Sequence, residues 1–350
     1  MITLDDKQLL LKTLEEYKGL GIANQIDYDK FYLYSIITHS TAIEGSTVTE
    51  IENQLLFDEG ISAKGRSIQE QMMNLDLKAA YEQTLRWARE RKSIQVDMLK
   101  SLSALVMKNT GSTYSTLNGS FDSSKGDLRL VNVTAGVGGR SYMNFVKVPT
   151  RLENFCNEMN SRQQSLTEND VFEEYLLSFD AHYLLVTIHP WVDGNGRMSR
   201  LLMNYLQFEY GLIPVKVRKD DKAEYIQALV DSRDQDSLEP FREFMLKMHI
   251  RNLQYEIAQY KQSMEDDVIC GGVNANDGGV NGGVKSINGG GSSEDILLDT
   301  IANNPGLNAP ILAEVLGKSL RTIQRHLKTL TEQQKIEFRG APKNGGYWTI

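Results

Sequence analysis

The sequence predicts a mainly α-helical protein that carries one small β-hairpin and ends in a separate, smaller domain. Apolar residues recur every three or four positions through most of residues 1–265, which is the period of a helix buried on one face. Short β-branched runs separated by glycines replace this pattern between residues 110 and 149. A glycine-rich stretch then precedes residues 293–350, so we expect an independent domain there.

Composition narrows the class of protein. The 350-residue chain has 41% hydrophobic and 24% charged residues, as globular proteins do, and its length suggests more than one domain. The net charge of −8 argues against a chain-wide surface for nucleic acid or membranes. No window approaches the about 18 uninterrupted apolar residues of a membrane-spanning helix, and Cys156 and Cys270 are the only cysteines. We therefore expect a cytoplasmic protein without a membrane partner.

Residues 1–110 are predicted to form a helical N-terminal region. Its helices are expected over residues 9–20, 31–38, 69–87 and 95–107. Residues 40–45, Ser-Thr-Ala-Ile-Glu-Gly, leave a helix end rich in small and hydroxyl side chains. From these residues alone, Glu44 is a solvated acid beside a glycine that ends the helix.

Residues 111–265 are predicted to form a second region, which contains the hairpin and a helical bundle. Strands at 127–134 and 142–148 with a turn at 136–139 would make the hairpin; an ordered loop without function is the alternative. An exposed hairpin edge can accept a strand of another chain. Thr167 is the expected N-cap of a helix over 169–188.

The rest of this bundle is predicted from the same helical period. Pro190 should end the preceding helix at His189. Helices over residues 197–210, 222–230 and 238–260 are expected to complete the bundle. His182 is expected to be a hydrogen-bonded core histidine, and Tyr225 either stacks on a nucleotide base or faces the bundle.

The C-terminal part is predicted to be a flexible linker, 266–292, and a domain of three helices and two strands, 293–350. This order of elements resembles a winged helix-turn-helix domain. The third helix has no acidic residue between Lys318 and Thr331, and such a helix suits the major groove of DNA. A protein-contact or dimerisation module is the alternative. The basic candidates are Lys318, Arg321, Arg325, His326 and Lys328.

Residues 189–200, His-Pro-Trp-Val-Asp-Gly-Asn-Gly-Arg-Met-Ser-Arg, gather the chemistry of a phosphate site. A loop entering a helix N-terminus offers free amides and a positive dipole end. The expected phosphate-binding residues are Gly194, Asn195, Gly196, Arg197 and Arg200. Asp193 is placed to hold Mg²⁺, and His189 is a base with an unperturbed pKa of about 6.5.

This stretch resembles the Fic family signature His-Pro-Phe-x-Asp/Glu-Gly-Asn-Gly-Arg-x-x-Arg, with Trp191 in place of Phe. The resemblance covers about residues 1–260 and implies transfer of AMP from ATP to a Ser, Thr or Tyr hydroxyl of a protein. It implies that His189 deprotonates the hydroxyl, that Asp193 binds Mg²⁺, and that the hairpin at 128–148 is a flap that aligns the target. Trp191 is expected to pack beneath the loop.

The resemblance also gives Glu44 a role. Ser40 to Gly45 fit the Ser/Thr-x-x-x-Glu-Gly/Asn pattern of the family's inhibitory helix. Glu44 would then pair with Arg200 and keep ATP misaligned. The alternatives are removal of AMP or use of another nucleotide by the same fold, and a DNA-binding regulator that senses nucleotide. The target, the factor that relieves inhibition and any homo-oligomeric state are left open.

Overall fold

The computed structural model describes residues 2–24, 28–135, 139–167, 170–271, 293–303, 306–316, 318, 320–339 and 346–350. The chain divides into two compact units, Met1–Tyr260 and Lys261–Ile350. The predicted fold class, mainly α with a small antiparallel sheet and a C-terminal winged helix, is confirmed. The further subdivision of the first unit at residue 110 stays a prediction.

Capped helices build the N-terminal part of the first unit. Thr3, Thr49 and Ser67 each form a capping box with an acidic residue three positions later, which fixes where three of these helices begin. The helical elements are α1 (Leu4–Gly19), a 3₁₀ turn (Ile22–Asn24), α2 (Tyr28–Ile43), α3 (Glu50–Gln54), a π-helical turn (Leu55–Glu59), α4 (Ile68–Arg89) and α5 (Val96–Val106).

A short antiparallel hairpin follows α5. It consists of β1 (Thr113–Thr116) and β2 (Gly119–Asp122), with Thr116 opposite Gly119. Gly119 has φ 117°, in the region that favours glycine, so it allows the chain to reverse within two residues. The prediction missed this hairpin because the run from Thr113 to Thr116 is short and half-exposed.

The hairpin predicted over 128–148 was wrong as a pair of regular strands. The described residues of this segment, 128–135 and 139–148, are called the flap loop below, and among them Thr134 and Ser141 form an isolated bridge. The carbonyls of Val131 and Met143, which a regular ladder would pair, are instead bound by an arginine side chain. Residues 136–138, where the turn was predicted, lie outside the described residues.

Five helices complete the first unit and surround its core. Two further 3₁₀ turns, Ser123–Lys125 and Phe145–Lys147, lie before them, and another, Lys219–Asp221, lies between α8 and α9. The helices are α6 (Val148–Ser165), α7 (Val171–Ile188), α8 (Asn195–Glu209), α9 (Lys222–Asp234) and α10 (Glu239–Gly271). α7 is buried over most of its length and packs on α6 and α8, and α4 also packs on α8. The α7–α8 pair is therefore the frame that holds the loop between them.

Two predicted boundaries in this region need correction. The N-cap of α7 is Asp170, whose carboxylate accepts a hydrogen bond from Glu173 N, so the prediction of Thr167 was wrong. Asp170 is nearer the first buried turn and also carries the negative charge favoured at a helix N-terminus. α10 continues to Gly271, so the linker predicted from residue 266 begins inside a helix. Residues 272–292 lie outside the described residues.

The second unit has the order of a winged helix-turn-helix domain. Its elements are α11 (Ser293–Asn303), α12 (Ala309–Leu316), α13 (Leu320–Glu332), β3 (Ile336–Arg339) and β4 (Gly346–Thr349). The two strands are antiparallel, and Ile336 lies opposite Thr349. Its buried core comprises Leu297, Ile301, Leu312, Ala313, Ile323, Leu327, Leu330 and Ile336. The apolar face of α13 is thus turned inward, and Arg325 and Lys328 lie on its exposed side.

The structure also describes the hydropathy of the helices and the environment of Cys156. Within the described ranges, none of the helices has both the length and the hydropathy to cross a bilayer. Cys156 is buried in α6 as a free thiol, and burial raises its pKa to about 12. A thiol with so high a pKa is an unreactive core side chain.

Candidate active site

The loop from His189 to Gly194 joins α7 to α8, and two left-handed backbone positions shape it. His189 has φ 53° and ends α7, because Pro190 prevents the helix from continuing. Gly194 has φ 79° and is the N-cap of α8. A Cβ at Gly194 would lie 2.8 Å from Met107 Sδ, an atom of a flexible side chain, so the positive φ rather than this contact is the main reason for glycine here.

The loop is closed by its own side chains. Asn195 accepts a hydrogen bond from Trp191 N at 3.1 Å and donates one to Trp191 O at 2.8 Å. Trp191 is fully buried beneath the loop, as expected, and its indole N–H donates to Gly126 O. The Asn195 side chain is therefore committed to the loop, and this residue offers a ligand only its backbone amide.

His189 has the tautomer that a general base needs. Its Nδ1 lies 3.2 Å from Val186 O, and since a carbonyl oxygen only accepts, Nδ1 carries the proton. Nε2 is then left with a lone pair. Burial, reinforced by the positive charge of Arg129, lowers the pKa of His189 to about 4. The imidazole is therefore neutral at physiological pH.

Tyr142 from the flap loop stacks on this imidazole. The ring centroids are 3.8 Å apart and the planes are inclined by 18°. Sequence reasoning did not identify Tyr142 as a site residue, since a tyrosine beside a glycine-rich turn carries no pattern of its own.

The first turn of α8 has the features of an anion site. The first backbone bond of the helix is donated by Met198 N to Gly194 O, so the amides of Asn195, Gly196 and Arg197 have no acceptor within the helix. The positive end of the helix dipole lies at the same place. The side chain of Asp193 is 62% exposed at the edge of this turn.

The carboxylate of Asp193 is a candidate ligand for a metal ion. No group of three or more His, Cys, Asp or Glu side chains in the described ranges is arranged to hold an ion. Mg²⁺ in phosphate sites commonly uses one or two carboxylates together with substrate phosphates. The exposed carboxylate of Asp193 fits that use, although one of its oxygens accepts a hydrogen bond from Gly194 N.

Arg197 is buried rather than presented to solvent. Its guanidinium donates to Val106 O at 3.4 Å and to Met107 Sδ at 3.1 Å, and Asp193 lies 3.7 Å away. Its Nε has no hydrogen-bond partner among the described residues. The Nε–H is therefore an unused donor in this arrangement.

Arg200 is fully engaged by the end of α2. Its Nε donates to Ser40 Oγ at 2.8 Å, and Nη2 donates to Ser40 O at 3.0 Å and to Glu44 Oε1 at 2.6 Å. Burial would raise the pKa of Glu44, but the charge and hydrogen bond of Arg200 outweigh it and hold that pKa below its usual value. The contact predicted between Glu44 and Arg200 is present.

The Glu44 carboxylate also lies against the first turn of α8. A Cβ at Gly196 would be 2.6 Å from Glu44 Oε1 and 3.0 Å from Arg200 Nη1. A side chain at position 196 would therefore require the Glu44 carboxylate to move, whereas glycine leaves it in place. The acid therefore takes the place where the helix N-terminus would attract a phosphate.

A buried polar network behind Glu44 fixes the end of α2. Gly45, with φ 106°, ends this helix. Asn74 Oδ1 accepts hydrogen bonds from Thr41 Oγ1 and Asn53 Nδ2, and Asn74 Nδ2 donates to Ser46 Oγ. Asn74 and Asn53 are fully buried. Sequence reasoning missed both, because an asparagine in an amphipathic helix looks like a surface residue.

Tyr225 needs a correction. It is 1% exposed, its hydroxyl lies 2.9 Å from His182 Nε2, and its ring packs in a cluster with Phe241 and Phe244. No face of the ring is open to a base, so stacking on a nucleotide was wrong and the bundle-facing alternative holds. His182 is a core histidine, as expected.

In the second unit, two of the predicted basic residues, Arg325 and Lys328, lie one turn apart on the exposed side of α13, and Lys318 precedes that helix. Lys318, Arg325 and Lys328 are exposed. His326 instead is buried, 3.4 Å from Glu294 Oε1, so its expected place on the basic face was wrong. Arg321 belongs to α13, but its side chain lies outside what the structure describes.

Comparisons with known families agree with both units. Residues 93–207 match the Fic/DOC family, and residues 296–337 match the winged helix-turn-helix DNA-binding family.

Named relatives match part of their own length. "Protein adenylyltransferase Fic" of Drosophila grimshawi is 28% identical over 249 residues, 70% of this chain and 46% of that protein. "Protein adenylyltransferase fic-1" of Caenorhabditis elegans is 26% identical over 240 residues, 68% of this chain and 43% of that protein. The chain spans less than half the length of these curated relatives.

Solved structures share the fold. A Fic-domain-containing signaling protein of Bacteroides thetaiotaomicron superposes with a TM-score of 0.61 at 19% identity, covering 73% of this chain and 97% of that one. A Fic family protein of Desulfovibrio desulfuricans gives a TM-score of 0.54 at 19% identity over 100% of this chain and 97% of that one.

Proposed function

Because the chain contains a Fic/DOC family domain, we propose that it is a protein adenylyltransferase held inactive by its own Glu44. It would transfer AMP from ATP to a Ser, Thr or Tyr hydroxyl of a protein and release pyrophosphate. The observation that carries this proposal is that His189, whose Nε2 keeps a lone pair, ends α7 at the start of the loop that leads into the anion-attracting first turn of α8. The names of the curated relatives support the same activity.

The chemical step follows from these positions. Nε2 of His189 takes the proton of the target hydroxyl while the hydroxyl oxygen forms a bond to the α-phosphorus. The bond between the α-phosphorus and the oxygen that bridges to the β-phosphate breaks, and pyrophosphate leaves. Because its pKa is about 4, the imidazole is unprotonated across the physiological range and Nε2 is available as an acceptor.

The phosphates would lie on the first turn of α8. The amides of Asn195, Gly196 and Arg197 would hold the oxygens of the α- and β-phosphates, and Arg197 and Arg200 would bind the β- and γ-phosphates. Asp193 would hold Mg²⁺ there, which when bound neutralises charge on the phosphates. In such reactions most of the rate enhancement comes from positioning and charge stabilisation.

The inhibition would be a competition for one cation. Arg200 donates three hydrogen bonds to Ser40 and Glu44, so binding a γ-phosphate requires those bonds to break. The Glu44 carboxylate beside Gly196 would also repel an incoming phosphate. ATP would then bind weakly or with its α-phosphate out of line with His189.

The test uses ATP radiolabelled at either the α- or the γ-phosphate. We expect Glu44→Gly protein, incubated with lysate, to transfer the α-label and not the γ-label. The matched Glu44→Gly/His189→Ala protein should transfer neither. Transfer of the γ-label would indicate phosphorylation, and equal α-labelling with and without His189 would overturn the proposal.

A second candidate function, DNA binding by the second unit, is favoured by the exposed basic face of α13. Arg325 and Lys328 lie on this face, Lys318 is exposed just before the helix, and the winged helix-turn-helix match covers all three. A helix with this charge pattern would lie in the major groove and contact phosphates. A membrane surface is not proposed as a partner, and we expect the protein to act in the cytoplasm.

A further inference from the structure

Arg129 is a fully buried arginine at the base of the flap loop. Only 1% of it is exposed, and no carboxylate in the described ranges pairs with its guanidinium. A buried unpaired charge is costly, so a chain keeps one where several good hydrogen bonds compensate and where the position serves a purpose.

Three backbone carbonyls bind this guanidinium. Arg129 Nε donates to His189 O at 2.8 Å, Nη1 donates to Val131 O at 2.7 Å, and Nη2 donates to Met143 O at 2.7 Å. The backbone N–H of Arg129 also donates to Pro190 O at 3.1 Å. One side chain thus joins both arms of the flap loop to the residue that carries the base.

The contact with His189 acts on a strained backbone. The φ of 53° at His189 is unfavourable for a residue with a side chain and persists only where neighbouring bonds hold it. One such bond runs from His189 N to Leu185 O, and the bond from Arg129 to His189 O holds the other side of the residue.

The contact with Met143 affects the imidazole ring of His189 rather than its backbone. Met143 follows Tyr142, whose ring stacks on His189 at 3.8 Å. By holding Met143 O, Arg129 keeps this ring over the imidazole. The backbone and the ring of His189 are therefore both positioned by one guanidinium.

We propose that Arg129 is a positioning residue: it couples the flap loop to His189, so that the segment aligning the target and the base that deprotonates it move as one body. This proposal rests on the proposed transferase function. A purely structural arginine would contribute to folding without a specific effect on the flap loop or on turnover.

If Arg129 couples the flap loop to His189, changing it in a Glu44→Gly parent should alter turnover and target binding but leave ATP binding unchanged. Arg129→Lys keeps the positive charge but cannot reach three carbonyls, since an ammonium lacks the planar fork. We expect kcat to fall at least about tenfold and the KM for the protein target to rise. The Kd for ATP should stay within about twofold, because the first turn of α8 does not contact Arg129.

Hydrogen exchange of the flap loop gives a readout that needs no activity. The amides of Ala135 and Tyr142 donate to Arg140 O and Val133 O across the loop. They should exchange faster in Arg129→Lys, while amides of α7 and α8 keep their rates. Arg140→Lys is the matched control, because Arg140 lies in the same loop, is 66% exposed and pairs with Asp234.

The results distinguish failure of the Arg129 proposal from failure of the proposed transferase function. Flap exchange and kcat within about twofold of the parent in Arg129→Lys would overturn the proposal, as would a loss confined to ATP binding. If the Glu44→Gly parent transfers no label, the proposed transferase function is wrong. Hydrogen exchange of the flap loop still tests whether Arg129 couples that loop to His189. If Arg129→Lys does not fold, Tyr142→Leu tests the other end: unchanged kcat overturns the proposal, and lower kcat at constant ATP Kd supports it.

Discussion

Arg200 Nη2 lies 2.6 Å from Glu44 Oε1, and this ion pair closes the first turn of α8. The guanidinium is 4% exposed, while the glutamate side chain remains 33% exposed. Arg200 is therefore buried in the core, whereas Glu44 lies at the edge of the core and is partly exposed to solvent. An anion that reached Arg200 from solvent would have to displace Glu44.

The network around Asn74 should control how firmly Glu44 is held. In Asn74→Ala, Thr41, Asn53 and Ser46 lose a buried partner, so we expect stability to fall by about 1–3 kcal/mol. The end of α2 should loosen, and basal α-label transfer should rise above that of wild type but stay below that of Glu44→Gly. Urea unfolding and labelling measure the two effects. Loss of stability with unchanged labelling would mean that the network supports the fold only.

The pH dependence of transfer should follow a histidine with a depressed pKa. In the proposed mechanism His189 accepts the proton in its neutral form, which predominates above its pKa of about 4. The rate of Glu44→Gly protein should therefore be nearly flat from about pH 8 to about pH 5 and decline below that. Initial rates across this range, with circular dichroism to confirm folding at each pH, provide the measurement. A half-maximal rate near about pH 6.5 would contradict the buried, neutral base.

Stability should fall on mild acidification because buried histidines must stay neutral. Burial lowers the pKa of His249 to about 3 and that of His182 well below its ordinary value. The unfolded chain binds protons first, so stability is complete above about pH 6.5 and is lost as the pH falls toward the folded pKa values. Urea unfolding of His249→Phe should show a slope smaller by up to about 1.4 kcal/mol per pH unit between pH 6 and pH 4. An unchanged slope would indicate that His249 is not buried as a neutral group.

DNA binding by the full chain should depend steeply on salt if α13 contacts phosphates. Each phosphate contact contributes about 0.9 to the slope of log K against log salt concentration. Lys328→Ala should weaken binding for all sequences and reduce that slope by about 1. Lys335→Ala, outside α13, serves as the control. No binding by wild type at low salt would favour a protein-contact role for the second unit.

The parts of the site that follow one another in sequence could be predicted from it. The residues from His189 to Arg200 lie on one turn and one helix, so their spacing fixes their relative positions. Glu44 was predicted only through the family resemblance, because it is distant from Arg200 in the chain and no local pattern joins them. The helices were predictable from their period, whereas the short strands of β1 and β2 carried too little signal.

The positions of Arg129 and Tyr225 could not be predicted, because they depend on contacts with residues that are distant in the sequence. Arg129 lies between Leu128 and Leu130, and alternation would have placed it on an exposed face; instead backbone carbonyls surround it. Tyr225 has the same composition around it whether it faces a ligand or the bundle, and burial among aromatic rings decided the question. Buried polar contacts between distant segments are visible only once the chain is folded.

The most direct test of the account is the initial rate of α-label transfer by wild type, Glu44→Gln and Glu44→Gly at equal ATP concentration. A hydrogen bond to a charged group contributes about 1.5–3 kcal/mol, so Glu44→Gly should be faster than wild type by about 10–100-fold. Glu44→Gln, which keeps the hydrogen bond and loses the charge, should fall between them, and Glu50→Gln should match wild type. Equal rates for wild type and Glu44→Gly, with label still dependent on His189, would contradict control of the site by the Glu44–Arg200 pair.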